Sequence, residues 1–126
     1  MDEGIFMSKD VTLPPQLQEQ LLQFQQLQQT LQVIISQRQQ LELESSEIDR
    51  AISELEKMPD DGTVYKSIGS LLVKSEKKKV TEELRERKEL ATTRITVLTK
   101  QQSRAEERAK ELQHVIQERI KPSSET

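Results

Sequence analysis

Thr63-Val64-Tyr65-Lys66-Ser67-Ile68-Gly69-Ser70-Leu71-Leu72-Val73-Lys74 is the one segment of this chain whose residues favour extended backbone. Residues 63–67 and 71–74 are short and rich in strand-favouring side chains. Between them, Ile68-Gly69-Ser70 places a glycine where a tight hairpin needs a positive φ. Just upstream, Pro59-Asp60-Asp61-Gly62 is a turn signal. The spacing predicts one β-hairpin over 63–75. Two strands alone are marginal in water, and their unpaired edges are templates for further pairing. Val64, Tyr65, Ile68, Gly69, Leu71, Leu72 and Val73 are therefore the candidate assembly residues, contributing to a sheet or barrel shared between several subunits.

Working outward, both flanks read as long helices, predicted over 14–58 and 81–121. Pro14-Pro15 marks the first start, since proline is tolerated in the first turn and not deeper. From 16 to 58 there is neither glycine nor proline, enough for roughly 65 Å of helix at 1.5 Å per residue. With Leu17 at heptad position a, the a positions are Leu17, Phe24, Leu31, Arg38, Ser45 and Ile52. The d positions are Gln20, Leu27, Ile34, Leu41, Ile48 and Leu55; nine of these twelve are apolar, which is a coiled-coil seam. In the second flank, Leu84, Lys88, Ala91, Ile95, Leu98, Gln102, Ala105, Ala109, Leu112 and Ile116 recur at alternating steps of four and three. Thr81 is the candidate N-cap, with Glu82 and Glu83 in the first turn, and Lys121-Pro122 is the stop.

Charge indicates that the two helices fold back on each other. Residues 42–57 hold six acidic and two basic side chains; residues 77–94 hold seven basic and four acidic. Both segments adjoin the hairpin, so an antiparallel pair sets opposite charges side by side. Each such surface pair contributes only about 0–1 kcal/mol, so the pattern fixes register more than it stabilises. The expected fold is mainly α: an antiparallel coiled coil of two long helices joined by one short β-hairpin. Residues 1–12 read as a flexible extension, with Met7 an alternative start, 13–121 as the single domain, and 122–126 as a flexible tail.

Composition narrows the function. Of 126 residues, 33% are apolar and 33% charged, the net charge is −3, and the aromatics are two phenylalanines and one tyrosine. Such a chain is stabilised by helix pairing and partner subunits rather than by a large core of its own. It has no cysteine, which excludes disulfides and thiolate metal sites and fits a cytoplasmic protein. No run approaches the roughly 18 apolar residues of a membrane span. The net charge gives no reason to propose nucleic acid. His114 stands alone, the neighbouring pairs Glu82-Glu83 and Glu106-Glu107 point in different directions on a helix, and no glycine-rich phosphate motif is present. No catalytic, metal or cofactor site is expected.

The helix ends carry a different signal. From 16 to 40, twelve of 25 residues are glutamine and only Glu19 and Arg38 are charged. A weakly charged surface costs less to desolvate. Leu21, Leu22, Val33, Ile35, Val115 and Ile120 fall outside the seam.

The arrangement and its wording resemble the prefoldin family. Phe24-Gln25-Gln26-Leu27-Gln28-Gln29 and Gln37-Arg38-Gln39-Gln40-Leu41-Glu42 are similar to the first helix of its beta-type subunits. The hairpin segment from Val64 to Lys74 is similar to that family's single hairpin, and Thr81-Glu82-Glu83-Leu84 to the start of its second helix. The likeness spans about 13–120 and is nearest to archaeal members. It implies a hexamer of two alpha-type and four beta-type subunits, whose hairpins join in a β-barrel from which coiled-coil arms project. It implies a chaperone that uses no ATP or other cofactor, binds unfolded client proteins at the arm tips and delivers them to a group II chaperonin. Leu13, Leu17, Leu21, Val115, Ile116 and Ile120 are the client contacts expected on that basis. Read alone, the residues also allow a coiled-coil tether or scaffold; the hairpin argues against it, because a tether has no use for strands that demand partners.

Overall fold

The computed structural model describes residues 13–120. The readings of 1–12 and 122–126, and of Lys121-Pro122 as a stop, lie outside the described residues. Helix α1 spans Pro15–Glu56, strands β1 and β2 span Thr63–Ile68 and Leu71–Glu76, and helix α2 spans Lys77–Ile120.

Helix α1 begins where the prolines allow it to: the amide of Gln18 donates to the carbonyl of Pro14 at 3.0 Å, and the Gln18 side chain donates to the Leu13 carbonyl at 2.9 Å. It closes two residues before the expected 58. Lys57 and Met58 donate to the carbonyls of Glu54 and Leu55 in a tightened last turn, ahead of Pro59, which cannot continue a helix. Gly62 follows in a turn, its amide on the Pro59 carbonyl at 2.9 Å. A Cβ there would lie 2.9 Å from the Met58 Cε, the free end of a flexible side chain, and 3.0 Å from the Pro59 oxygen, so any larger residue would crowd the turn.

The strands pair antiparallel from Thr63↔Glu76 to Ile68↔Leu71. Each runs further than the segments 63–67 and 71–74 read from sequence. Gly69 and Ser70 form the two-residue connection, and Gly69 has a φ of 58°, the left-handed conformation that the reversal demands.

The second helix starts at Lys77 rather than at 81. Thr81 is not its cap but an internal residue, buried, with its Oγ1 donating to the Lys77 carbonyl at 2.7 Å. Cap preference is a weak signal that tertiary context overrides. Nothing in 77–80 breaks a helix, and the Lys77 ammonium is fixed by the Met58 carbonyl at 2.8 Å and the Asp60 carboxylate at 3.1 Å. The helix therefore begins where the strand ends, with no loop between them.

The chain divides into two units. One holds 13–33 with 102–120, the helix ends; the other is Ile34–Gln101, which contains the hairpin. In each unit the heptad seam is the core. Leu17, Leu31, Ala109, Leu112 and Ile116 are buried in the first; Ile34, Ile48, Leu55, Ala91 and Leu98 are buried in the second. No seam position of either helix is fully exposed. Within the hairpin unit, Glu44 meets Arg87 at 3.9 Å and Glu56 meets Arg85 at 3.4 Å. Asp49 meets Lys88. Later residues of α1 thus face earlier residues of α2, and the helices run antiparallel with acid against base.

Candidate interaction surfaces

The hairpin leaves its apolar side chains in solvent. Tyr65, Ile68, Leu71, Leu72 and Val73 are all exposed, Leu72 at 72%, and only Val64 is half-buried. Opposed residues of an antiparallel pair share a face. The register therefore puts Val64, Lys66, Ile68, Leu71, Val73 and Ser75 on one face and Tyr65, Ser67, Leu72 and Lys74 on the other. On the first face four of the six residues, Val64, Ile68, Leu71 and Val73, are aliphatic. With only two strands, both outer edges also lack ladder partners among the described residues. A protein does not ordinarily present long unpaired edges with uncovered aliphatic groups unless something pairs with them.

One contact ties the strip to the second helix. Lys66, within that face, pairs with Glu83. The hydrogen bond from Lys66, helped by the charges of Lys66 and Lys79, holds the Glu83 carboxyl below the usual range.

At the helix ends the structure separates residues that the sequence had grouped. Leu17 and Ile116 are 3% and 7% exposed and belong to the seam. Leu13, Leu21 and Val115 are half-buried beside it, and Ile120 is exposed. Leu22 and Val33 are also exposed, more so than any of the expected contacts except Ile120. Both lay outside the a and d positions, which was the available signal. Two grooves run alongside: one lined by Gln28, Leu31, Ser103, Glu106, Glu107, Ala109 and Lys110, the other by Gln23, Gln26, Leu27, Thr30, Arg108 and Leu112. Alanine at position 109 leaves room over the seam, and the α1 side of each groove is uncharged.

Among the described residues, no group of histidine, cysteine, aspartate and glutamate is placed to hold a metal ion. No helix there is long and apolar enough to cross a membrane. His114 is exposed.

These features have counterparts in known proteins. The model of the prefoldin subunit family matches residues 18–123. The beta subunit of prefoldin from Methanothrix thermoacetophila is 43% identical over 108 residues, 86% of this chain and 90% of that protein. Its counterpart from Thermococcus kodakarensis is 40% identical over 87% of this chain and 94% of its own length. The crystal structure of the prefoldin beta subunit from Thermococcus strain KS-1 is similar at a TM-score of 0.78 and 40% identity, covering 88% of this chain and 97% of that one. The prefoldin beta2 subunit of the same strain, at 24% identity and a TM-score of 0.66 over 72% of this chain, attests the fold alone. A helix, one exposed hairpin and a returning helix, matched along nearly their whole length, place the chain in the prefoldin family, among its beta-type subunits.

Proposed function

We propose that this chain is an arm of a hetero-oligomeric chaperone of the cytoplasm that holds non-native polypeptides at its helix ends without ATP. The observation that carries this reading is the exposure of Leu22, Val33 and Ile120 beside a helix stretch that is almost uncharged. Such a surface gives weak, non-directional contact with many sequences, and several arms acting together supply avidity. Leu13, Leu21 and Val115 widen it. Leu17 and Ile116 support it from the seam and meet a client only where the helix ends part.

On the same reading the hairpin strip, Val64, Ile68, Leu71 and Val73 with Tyr65 and Leu72 behind, completes a barrel with alpha-type subunits, in the proportion of two alpha to four beta. The captured chain passes to a group II chaperonin. The test is the triple variant Leu22→Gln, Val33→Gln, Ile120→Gln, co-assembled with an alpha-type subunit. The particle is expected to keep its mass by native mass spectrometry and to lose most of its suppression of aggregation of a guanidine-unfolded client. Full suppression by the triple variant would refute the helix-end site.

A further inference from the structure

The two helices of the helix-end unit meet water in different ways. On α2 the side turned away from the seam is charged, carrying Glu107, Lys110, Glu111 and Glu118, all exposed. On α1 no residue from Leu22 to Val33 is charged, and the nearest charge, Glu19, lies almost a turn before that stretch. Leu22, Gln26, Gln29 and Val33 stand at i, i+4, i+7 and i+11, which is one line along a helix. The line lies opposite the seam, and all four side chains are exposed. Gln25 and Gln32 stand beside it, also exposed. Among the described residues none of these four glutamine carboxamides makes a hydrogen bond.

Charge keeps the α2 surface in water, and a carboxamide does something that a charge does not. It offers an acceptor and two donors at no net charge. A peptide group offers the same kinds of atom, a carbonyl and an N–H. The spacing suits an extended chain as well. From Leu22 to Val33 the helix rises roughly 16.5 Å, in three steps of about 5.5 Å. Peptide groups along one edge of an extended chain repeat every two residues, or about 6.7 Å. Over three steps the two repeats drift apart by about 4 Å, within reach of a glutamine side chain, so the line can follow roughly six residues of chain.

We infer that this line of α1 is a track for the extended main chain of a client. The carboxamides of Gln25, Gln26, Gln29 and Gln32 pair with its peptide groups, and Leu22 and Val33 cover those bonds with apolar contact. This rests on the helix-end site proposed above and names what that site recognises: an uncharged, extended stretch of polypeptide with open peptide groups, whatever its side chains. The two kinds of contact divide the task. An amide hydrogen bond made in water replaces one made to water and yields little by itself. The apolar pair therefore supplies most of the affinity, and the amides select the conformation. Every sequence has peptide groups, which makes the track broad; a folded protein has paired its own in helices and sheets, which makes the track selective for non-native chains.

Methionine is close to glutamine in length and helix preference but is more apolar and has no amide, so it separates the two contributions by sign. Gln26→Met with Gln29→Met, in particles assembled with an alpha-type subunit, is expected to bind a fluorescein-labelled peptide of alternating leucine and serine several-fold more weakly than the parent, read by fluorescence anisotropy. A site working by apolar contact alone would bind it more tightly. The parent particle should likewise bind that peptide several-fold better than a version N-methylated at every second residue, which keeps the side chains and removes the main-chain donors of one edge. Equal affinity for the two peptides, no affinity for either, or a methionine variant that binds as tightly as the parent or more tightly overturns the main-chain track. Full suppression of aggregation by the triple variant at Leu22, Val33 and Ile120 overturns the helix-end site itself, and the track with it.

Discussion

The two units of this chain are built on one seam and finished differently. In the hairpin unit, ion pairs cross from helix to helix at Glu44–Arg87, Asp49–Lys88 and Glu56–Arg85. In the unit of the helix ends, the ion pair among the described residues is Arg108–Glu111, within one helix, and glutamine covers most of the α1 surface. On the function proposed above, the difference separates two requirements. Where strands must be offered at a fixed angle, charge pairing selects one register. Where varied sequences must be gripped, cross-helix charge would only add a desolvation cost.

If both units depend on the seam, truncating it should be costly in both. Ile48→Ala in the hairpin unit and Leu112→Ala at the helix ends each remove a side chain that is 4% exposed. Each is expected to cost about 2–5 kcal/mol, read as loss of helical signal on thermal or urea unfolding of the assembled protein. A neutral Leu112→Ala would break the comparison, because the helix ends would then not be a packed pair.

The next effect in size concerns the hairpin. Gly69→Ala meets no atom within 4 Å, so its whole cost lies in the backbone at φ 58°. That cost is about 1–2 kcal/mol. It should appear as weaker assembly with unchanged helix content by circular dichroism. Assembly at the parental concentration would mean that the turn relaxes without penalty.

A smaller effect tests register. Lys88→Glu opposes two carboxylates at Asp49 and is expected to lower stability by at most about 1 kcal/mol, with Asp49→Lys restoring it. Introducing Glu at Gln28 should cost less in folding but reduce client holding. The opposite ranking would dissolve the contrast between the units.

Much of this was legible before any coordinates. The heptad count found both helices because burial along a seam has a fixed period, and the opposed net charges of 42–57 and 77–94 gave the fold-back. The hairpin turn followed from Gly69. The start of α2 was missed because Thr81 satisfies a local rule, whereas the deciding contacts, Lys77 to Met58 and Asp60, join residues far apart in sequence. The degree of exposure of the helix-end residues follows the seam's phase that the heptad count supplies. Leu17, at an a position, is buried, and Leu21, outside the seam, is half-open.

The smallest effect concerns Lys66 and Glu83, the ion pair that fastens the hairpin to α2. Because Lys66 holds the Glu83 carboxyl below its ordinary range, folding favours the ionised form. The stabilisation is therefore fully present above the unfolded glutamate value of about 4.3 and is lost as pH falls through the lower folded value. Glu83→Gln should be slightly less stable than the parent at pH 7 and indistinguishable from it once the pH has fallen below both the unfolded and the lowered folded value. Both partners are partly in solvent, so added salt should narrow the gap at pH 7 as well. Cross-helix pairs such as Glu56–Arg85 would respond to salt in the same way, and a pH-dependent gap of equal size in Glu56→Gln would show that the hairpin strap is nothing special. A gap confined to Glu83→Gln would instead place the acid-sensitive joint of the unit between its strands and its second helix.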